Sequence, residues 1–475
     1  MTSERPAKSR VIASWNTSIR NTEGGQGATE ASLLAIDGTT GEPPTQHPED
    51  HEDKQVDGFH ELDSDGEEEG ELAPVMVSES AQKEMKDFEQ GFHGLLGRFK
   101  LLSKIGEGTF SSVYKAIDLE YDRYDNSGWD YSVDDQPSAN EKDSTGDAKD
   151  SAKDTANNVV EPNNVESGKV VAIKRIYVTS SPLRIENEIA ILHELSGHKN
   201  VVPLITAARH KDQVIVALPY FEHRDFRTYY RDLPMEDIRC YFRALLKGLA
   251  HVHSKGIIHR DVKPNNFLYD TEKKTGVIVD FGLAQRQENW PQKYGRSSTT
   301  GLHPGVPNPH ASVLMANREP GFPRKDTRPV LRVNRAGTKG FRAPEVLFRH
   351  VCQTVALDIW SVGVILIAFL TGRFPFFNSD HEVEALLEIA VLFGQREMKK
   401  VAATFDRTFV TNLPSIKEHP MSITRICWSL HPKRFAPPEG YAVSLLERLL
   451  TLDPTKRITA EEALKHPFLA EQPAK

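Results

Sequence analysis

Between Ile257 and Gly282 the chain reads I-I-H-R-D-V-K-P-N-N-F-L-Y-D-T-E-K-K-T-G-V-I-V-D-F-G. Asp261, Lys263 and Asn266 fall on one short loop, and a second aspartate, Asp280, follows one hairpin later. Phosphoryl transfer from a metal nucleotide calls for this set of groups, because its loose transition state leaves a protein little covalent chemistry and much positioning and charge to manage. One carboxylate, Asp261, orients the attacking hydroxyl. Lys263 steadies the group in flight, while Asn266 and Asp280 offer oxygens to magnesium ions that bridge the phosphates. H-R-D alone is a weak signal, but H-R-D-x-K-x-x-N followed closely by D-F-G is far too specific for a surface loop with incidental charges.

Upstream elements must bring a nucleotide to these groups. Phe99 to Ile117 reads as strand, glycine turn, strand. Gly106 and Gly108 let backbone N–H groups approach phosphate oxygens with no Cβ in the way. Ile105, Glu107, Thr109, Phe110, Ser111, Ser112 and Val113 complete this roof, and Ser111, where a third glycine would be usual, predicts a somewhat stiffer loop. The run G-K-V-V-A-I-K-R-I is an alternating strand that ends near Lys174, the lysine expected to pair the α and β phosphates. Pro182 to Ser196 has helical apolar spacing through Ile185, Ile189, Leu192 and Leu195, and Glu188 lies beside that stripe. Glu188 is therefore the expected partner of Lys174, with Glu186 and Glu194 left to solvent. His193 and His198 are five apart, about 140° round a helix, so a zinc-protease reading fails.

Val201 to Leu218 predicts two strands with a turn at His210 to Asp212, leading into L-P-Y-F-E-H. An adenine held there needs a carbonyl and, two residues on, an N–H. Proline has no N–H, so Leu218 is placed just ahead of the hinge, with the Pro219 carbonyl and the Phe221 N–H as the adenine contacts. Met235 to His253 is an amphipathic helix that carries the catalytic loop. Beyond Gly282, residues 285–335 form a long segment rich in Pro, Gly and Arg, basic through Lys293, Arg296, Arg318, Arg324, Lys325, Arg328, Arg332 and Arg335. It reads either as a flexible insertion or as one that binds a partner or an acidic substrate. Asp358 to Leu370 is hydrophobic nearly all round, as a central buried helix should be. Asp358 must then find hydrogen-bond partners, expected in the backbone of the H-R-D loop. Glu345 of A-P-E and Arg457 of D-P-T-K-R-I are expected to form a buried structural ion pair, and further helices are expected at about 380–393 and 440–450.

Composition frames this reading. The chain has 475 residues and a net charge of −8, and only 38% of it is hydrophobic beside 31 Gly and 29 Pro, so a sizeable core coexists with poorly ordered stretches. Residues 1–77 are expected to be disordered and become strongly acidic between Pro48 and Leu72, either a solvated tail or a docking or self-phosphorylation segment around Ser64. Residues 78–97 lead in through a short amphipathic helix with Met85, Phe88 and Phe92 at helical spacing. Glu120 to Ser167 is polar and reads as an insertion between strands. Cys240, Cys352 and Cys427 are scattered, so neither a disulfide framework nor a zinc site within the chain is expected. No secretory signal is visible, and the most apolar run, Ile359 to Leu370, is too short to span a bilayer. Neither membrane attachment nor direct nucleic-acid binding is expected.

In this order the motifs resemble the eukaryotic protein-kinase superfamily from about residue 98 to 469. The implied fold is α+β and bilobal: a small β-rich lobe over 98–218 carrying the insert 120–167, and a larger helical lobe over 222–469 carrying the activation-segment insert 285–335, then a short tail at 470–475. G-E-G-T-F-S-S-V-Y, the P-Y-F-E-H hinge, D-F-G-L-A-Q, R-A-G-T-K-G-F-R-A-P-E-V-L and T-G-R-F-P-F-F-N-S-D look like the cell-division-cycle-seven kinases, catalytic subunits of the origin-firing kinase (DDK), in their fungal form. Ser111 and Pro219 are shared with that family. The resemblance implies ATP and Mg2+ as cofactors and adds Ala172 and Leu268 to the ATP site. It also implies a nuclear serine/threonine kinase of the cell cycle that phosphorylates acidic tails of the MCM replicative helicase to start DNA replication. Such an enzyme is nearly inactive without a regulatory activating subunit. The short tail and the cysteine-free activation insert depart from some members, so the grip on that subunit would rest on the N-lobe helix, the first insert and ordered parts of 285–335.

Lys263, and Thr338 in G-T-x-G-F-R-A-P-E, argue for serine or threonine over tyrosine as acceptor. Arg260 reads either as the receiver of a phosphate or an acidic group from the activation segment or as ordinary loop structure. The basic 285–335 segment and Lys399-Lys400 would attract acidic substrates. Two rival readings are a constitutive acid-directed kinase and a catalytically dead kinase-fold scaffold; the scaffold is disfavoured because Lys174, Glu188, Asp261, Asn266 and Asp280 are all present.

Overall fold

The computed structural model describes residues 79–92, 97–124, 126, 129, 168–288, 333–405, 407–434 and 440–470. The acidic region 1–77, most of both inserts and residues 471–475 lie outside the described residues, as do the expectations that fall on them.

Five strands, β1 (Phe99–Glu107), β2 (Ser111–Asp118), β3 (Lys169–Ile176), β4 (Thr206–His210) and β5 (Gln213–Pro219), form an antiparallel sheet in the order β1-β2-β3-β5-β4. Successive side chains on a strand point to opposite faces. Val171 and Ile173 of β3 are buried on one face, and Lys174 turns to the other. The first face is covered by the second half of α1 (Glu79–Gly91). Phe88 lies with its ring centroid 5.1 Å from that of Tyr114 and under the Arg175 guanidinium at 4.7 Å. Phe88 and Phe92 are both fully buried, which stabilises this packing by about 1.5–3 kcal/mol per ring.

Trp129 joins the same cluster at 8% exposure, edge-on to Tyr121, with its indole N–H donating to Asn126 Oδ1 at 3.0 Å. The polar stretch from Glu120 is thus not a surface insertion from its first residue. A single aromatic in polar surroundings leaves no periodicity to read, and the insertion begins after this anchor.

The opposite face of the sheet takes α2 (Pro182–Leu195), which buries Ile185, Glu188, Ile189, Ile191, Leu192 and Leu195. Below it lie α3 (Phe226–Tyr229) and α4 (Met235–Ser254), followed by the two-residue strand β6 (Ile257–Ile258) and the hairpin of β7 (Phe267–Asp270) and β8 (Thr275–Ile278). β9 (Gln285–Arg286) pairs with β6, tying the segment after Asp280 to the strand that enters the catalytic loop. α5 (Pro344–Leu347) leads to α6 (Ala356–Thr371), in which every residue from Leu357 to Thr371 is buried. The remaining helices are α7 (Glu382–Thr404), α8 (Ile423–Leu430), α9 (Gly440–Leu449) and α10 (Ala460–Leu464).

The helix expected to stop near 393 continues to Thr404 after a break at Gly394. There φ is +77°, and a Cβ would stand 2.5 Å from the His419 carbonyl carbon, so only glycine fits between the two helical runs.

Candidate active site

The roof of the site is the β1–β2 turn, closed by the Gly108 N–H donating to the Ser111 carbonyl at 2.8 Å. A Cβ added to Gly106 or Gly108 would meet nothing of the protein closer than 3.7 Å. The room under the loop is therefore free for a ligand. Ser111 opens β2 in register with Ile176, an extended position that any residue adopts, so the serine costs nothing there. Ser112, expected at the nucleotide, turns the other way: its hydroxyl is fully buried and accepts from the Tyr114 hydroxyl at 3.3 Å. Period-two alternation is the reason, since Ser112 and Tyr114 share the α1 side of the sheet. Ile105, Thr109 and Phe110 are exposed along the rim, and Val113, Ala172, Pro219, Phe221 and Leu268 are half-buried. Ala172 is in register with Leu218.

Lys174 Nζ stands 2.7 Å from Glu188 Oε1 and 2.8 Å from Asp280 Oδ1. Burial opposes the charge on Lys174, but the two carboxylates outweigh it and hold its pKa above that of an ordinary lysine. In return Lys174 holds Asp280 well below the usual carboxylate range. Three more bonds run from α2 to the segment after Asp280. Arg184 donates to the Gly282 carbonyl, Asn187 donates to the Ala284 carbonyl at 2.8 Å, and Glu194 accepts from Arg286 at 2.6 Å. Glu194, expected in solvent, is thus the far end of a ladder that keeps Glu188 facing Lys174.

Asp261 is 7% exposed and both of its oxygens are engaged. Oδ1 accepts from the Thr338 N–H at 2.8 Å and from the Thr338 hydroxyl at 2.6 Å. Oδ2 accepts from Asn266 Nδ2 at 2.9 Å and faces Lys263 Nζ at 3.0 Å. Lys263 also donates to Thr338 Oγ1 at 2.8 Å. The Asn266 amide nitrogen is committed to Asp261, which leaves its oxygen for a cation, and Asp280 is 47% exposed with only Oδ1 turned to Lys174. This donor set, one amide oxygen and one carboxylate oxygen from successive loops, fits magnesium, a hard cation that prefers oxygen ligands. Arg260 and Asp280 both adopt positive φ, +71° and +61°, strain of the kind that collects at working loops.

The scaffold beneath is as expected. Asp358 is fully buried and accepts from the backbone N–H groups of His259 and Arg260, each at 2.8 Å, and bonds His253 Nε2 at 2.9 Å. Arg457 grips Glu345 through two bonds of 2.8 and 3.0 Å, both side chains fully buried. Arg260 Nη2 donates to Gln353 Oε1 at 2.5 Å, and Gln353 in turn donates to the Asn334 carbonyl, a contact that fits the loop-structure reading. Burial lowers the Arg260 pKa to about 10. Lys399 and Lys400, expected to attract acidic substrates, also bond Gln395 and Glu397 of their own helix. Sequence reasoning missed Gln353, because a lone glutamine carries no spacing signal.

A model described as protein kinase domain matches residues 155–302 and 321–469. The cell cycle serine/threonine-protein kinase hsk1 of Schizosaccharomyces pombe is 43% identical over 82% of this chain and 76% of its own. The chain belongs to the protein kinase family, in its cell-division-cycle-seven branch. Consistent with that branch, the probable cell division control protein 7 homolog 2 of Encephalitozoon cuniculi is 39% identical over 79% of the chain and 92% of its own. The Homo sapiens cell division cycle 7-related protein kinase is 24% identical over 82% and 92%. This kinase is therefore an ATP-using serine/threonine protein kinase of the cell cycle. The matched model begins at residue 155, so the glycine turn at 106–111 is tied to the kinase by the sheet register rather than by that match.

Proposed function

We propose that Asp261 orients the hydroxyl of a serine or threonine substrate for attack on the γ-phosphoryl group of ATP, with magnesium as the metal. The enzyme acts on serines in acidic, unstructured tails, those of the MCM helicase foremost, in the nucleus and under a separate regulatory subunit. The observation that carries this reading is the joint hold of Thr338 and Lys263 on Asp261, which fixes one carboxylate beside the segment where a peptide must lie.

Asp261 accepts or orients the substrate hydroxyl proton as the oxygen attacks. Lys263, 2.8 Å from Thr338 Oγ1, presents its positive charge to the transferring group. Lys174 faces the α and β phosphates, held there by Glu188. The turn at Gly106 and Gly108 offers backbone N–H groups to the phosphates. The Pro219 carbonyl and the Phe221 N–H flank the adenine edge. Asn266 and Asp280 would hold magnesium, which when bound neutralises charge on the phosphate oxygens.

An acidic preference is supported by the cations on the segment bearing Thr338. Arg335, Lys339 and Arg342 lie within four residues of it.

The test is phosphate transfer to an acidic serine peptide by the purified chain, with and without its candidate regulatory subunit. Transfer that requires the subunit supports the reading. Equal transfer by the chain alone contradicts partner activation and favours a constitutive kinase, and none under either condition would revive the scaffold.

A further inference from the structure

Four residues from separate parts of the chain are hydrogen-bonded in series behind the catalytic loop, and three of them carry neutral amides. Arg260 Nη2 donates to Gln353 Oε1 at 2.5 Å. Gln353 Nε2 donates to the Asn334 carbonyl at 2.9 Å and to the His350 carbonyl at 3.2 Å, and Asn334 Nδ2 donates to Gln285 Oε1 at 2.9 Å. Asn334 Oδ1 accepts from the Ala336 N–H at 2.9 Å. A second stitch runs alongside: Gln287 Oε1 accepts from the Val355 N–H at 3.1 Å, and the Gln287 N–H donates to the Gly256 carbonyl at 2.7 Å.

The direction of this series follows from residue type. A guanidinium only donates and a backbone carbonyl only accepts, so the group between them must do both, which one planar amide achieves. A carboxylate at position 353 would accept from Arg260 but turn an oxygen toward the Asn334 and His350 carbonyls. An aliphatic side chain would serve neither neighbour. Gln353 is 3% and Arg260 4% exposed, so a hydrogen bond lost here is not replaced by bulk water. Arg260 Nε and Nη1 are buried with no hydrogen-bond partner, and among the described residues Gln353 takes the one side-chain hydrogen bond that this guanidinium makes.

Two routes lead from Gln353 to Asp261. Arg260 immediately precedes Asp261 and holds its φ of +71° with its N–H on Asp358. Asn334 lies four residues before Thr338, whose N–H and hydroxyl both hold Asp261 Oδ1. Between them Gly337 has φ +120°, and a Cβ there would stand 2.7 Å from the Arg260 carbonyl oxygen, so glycine lets this stretch lie against the catalytic loop. The far end of the series, Gln285, follows Asp280 by five residues and pairs with Ile258 of β6. Gln353 thus stands where the strand leaving Asp280, the approach to Thr338 and the catalytic loop meet.

We propose that Gln353 is a positioning residue for phosphate transfer: its amide oxygen holds Arg260, its amide nitrogen holds the Asn334 carbonyl, and together these bonds set Thr338 against Asp261. This rests on the reading of Asp261 as the group that orients the acceptor hydroxyl, and goes beyond it. Asn334 extends the tie to Gln285, so the two ends of the 285–335 segment are joined to each other and to the catalytic loop. Lys174, Glu188 and the glycine turn belong to other elements, so the tie acts on the orientation of the acceptor and not on the hold on ATP.

The experiment is a double-mutant cycle on phosphate transfer to a serine peptide by the chain with its regulatory subunit, run well below the unfolding temperature of every variant. Gln353→Glu keeps the bond to Arg260 and breaks the one to Asn334. It should lower kcat roughly tenfold, the scale of one lost buried hydrogen bond, with KM for ATP within about twofold of wild type. Combined with Thr338→Ala it should fall little below Thr338→Ala alone, because both changes release the same hold on Asp261. Gln353→Leu also strands Arg260 and should unfold at a lower temperature than Gln353→Glu; unfolding no earlier would overturn the hold on Arg260. Wild-type kcat in Gln353→Glu, or losses that multiply in the double variant as those of independent sites do, would overturn the proposal while leaving the role of Asp261 intact. A Thr338→Ala enzyme as fast as wild type would instead overturn the reading of Asp261 on which the proposal rests.

Discussion

Asp358→Asn keeps the shape of a side chain that is fully buried and removes its charge. Oδ2 accepts from the His259 N–H and bonds His253, and Oδ1 accepts from the Arg260 N–H. An amide supplies only one acceptor oxygen, so its NH2 must face a backbone N–H. One buried donor left unsatisfied costs about 1–3 kcal/mol. The buried Arg260 and His253 also lose an anion, which brings the total to about 3–5 kcal/mol, the range seen when one partner of a buried charged pair is removed. At about 2–4 °C per kcal/mol for domains approaching this size, thermal unfolding should start roughly 6–20 °C lower.

The pH dependence has a definite sign. Burial works against the Asp358 charge, but the hydrogen bond and charge of His253, with His259, hold its pKa below the ordinary carboxylate value. Its contribution is therefore present above the unfolded-state pKa and is lost as pH falls through the lower folded-state one. The gap between wild type and Asp358→Asn should be constant near neutrality and narrow only in acid, below about pH 4. A shift under about 2 °C at pH 7, or a gap that closes near pH 6, would refute the reasoning.

Thr338→Ala removes the hydroxyl that bridges Lys263 and Asp261, and should lower kcat by about 10²-fold with little change in KM for ATP; Thr338→Ser should recover most of it. Arg457→Leu strands Glu345 in the core and should cost about 3–5 kcal/mol in denaturant unfolding, whereas an apolar pair at both positions should recover much of that. Phe88→Ala opens a cavity between α1 and the sheet and should cost about 3–5 kcal/mol, read as faster hydrogen exchange in β2 and β3 and a higher KM for ATP. Unchanged exchange would mean that α1 does not support the sheet.

The catalytic groups were legible because each acts through residue type at fixed spacing. Asp261, Lys263 and Asn266 sit on one loop, the Val279 N–H beside Asp280 donates to the Asn266 carbonyl at 2.9 Å, and Lys174 pairs with Asp280. Glu188 could be chosen among three glutamates because it lies beside the apolar stripe of α2, and it is the buried one of the three. Asp358 was legible as a charge in an otherwise apolar helix, and its partners followed from the need to satisfy it. What the sequence hid are contacts between residues with no periodic signature: Trp129 on Tyr121, Gln353 on Arg260, and three distant arginines on Glu382. Such pairs depend on chain reversals far apart in sequence, so no local pattern announces them. The face reached by Ser112 was open to reading, since alternation from Tyr114 points it away from the cleft.

The central claim is that Asp261 orients the acceptor hydroxyl while Lys174 and Glu188 hold the nucleotide. Its most direct test is single-turnover phosphate transfer to an acidic serine peptide by the chain with its regulatory subunit, comparing wild type with Asp261→Asn and measuring ATP affinity alongside. The account predicts that Asp261→Asn binds ATP within about twofold of wild type while transfer falls by about 10²-fold or more. Transfer that persists at the wild-type rate in Asp261→Asn would contradict it.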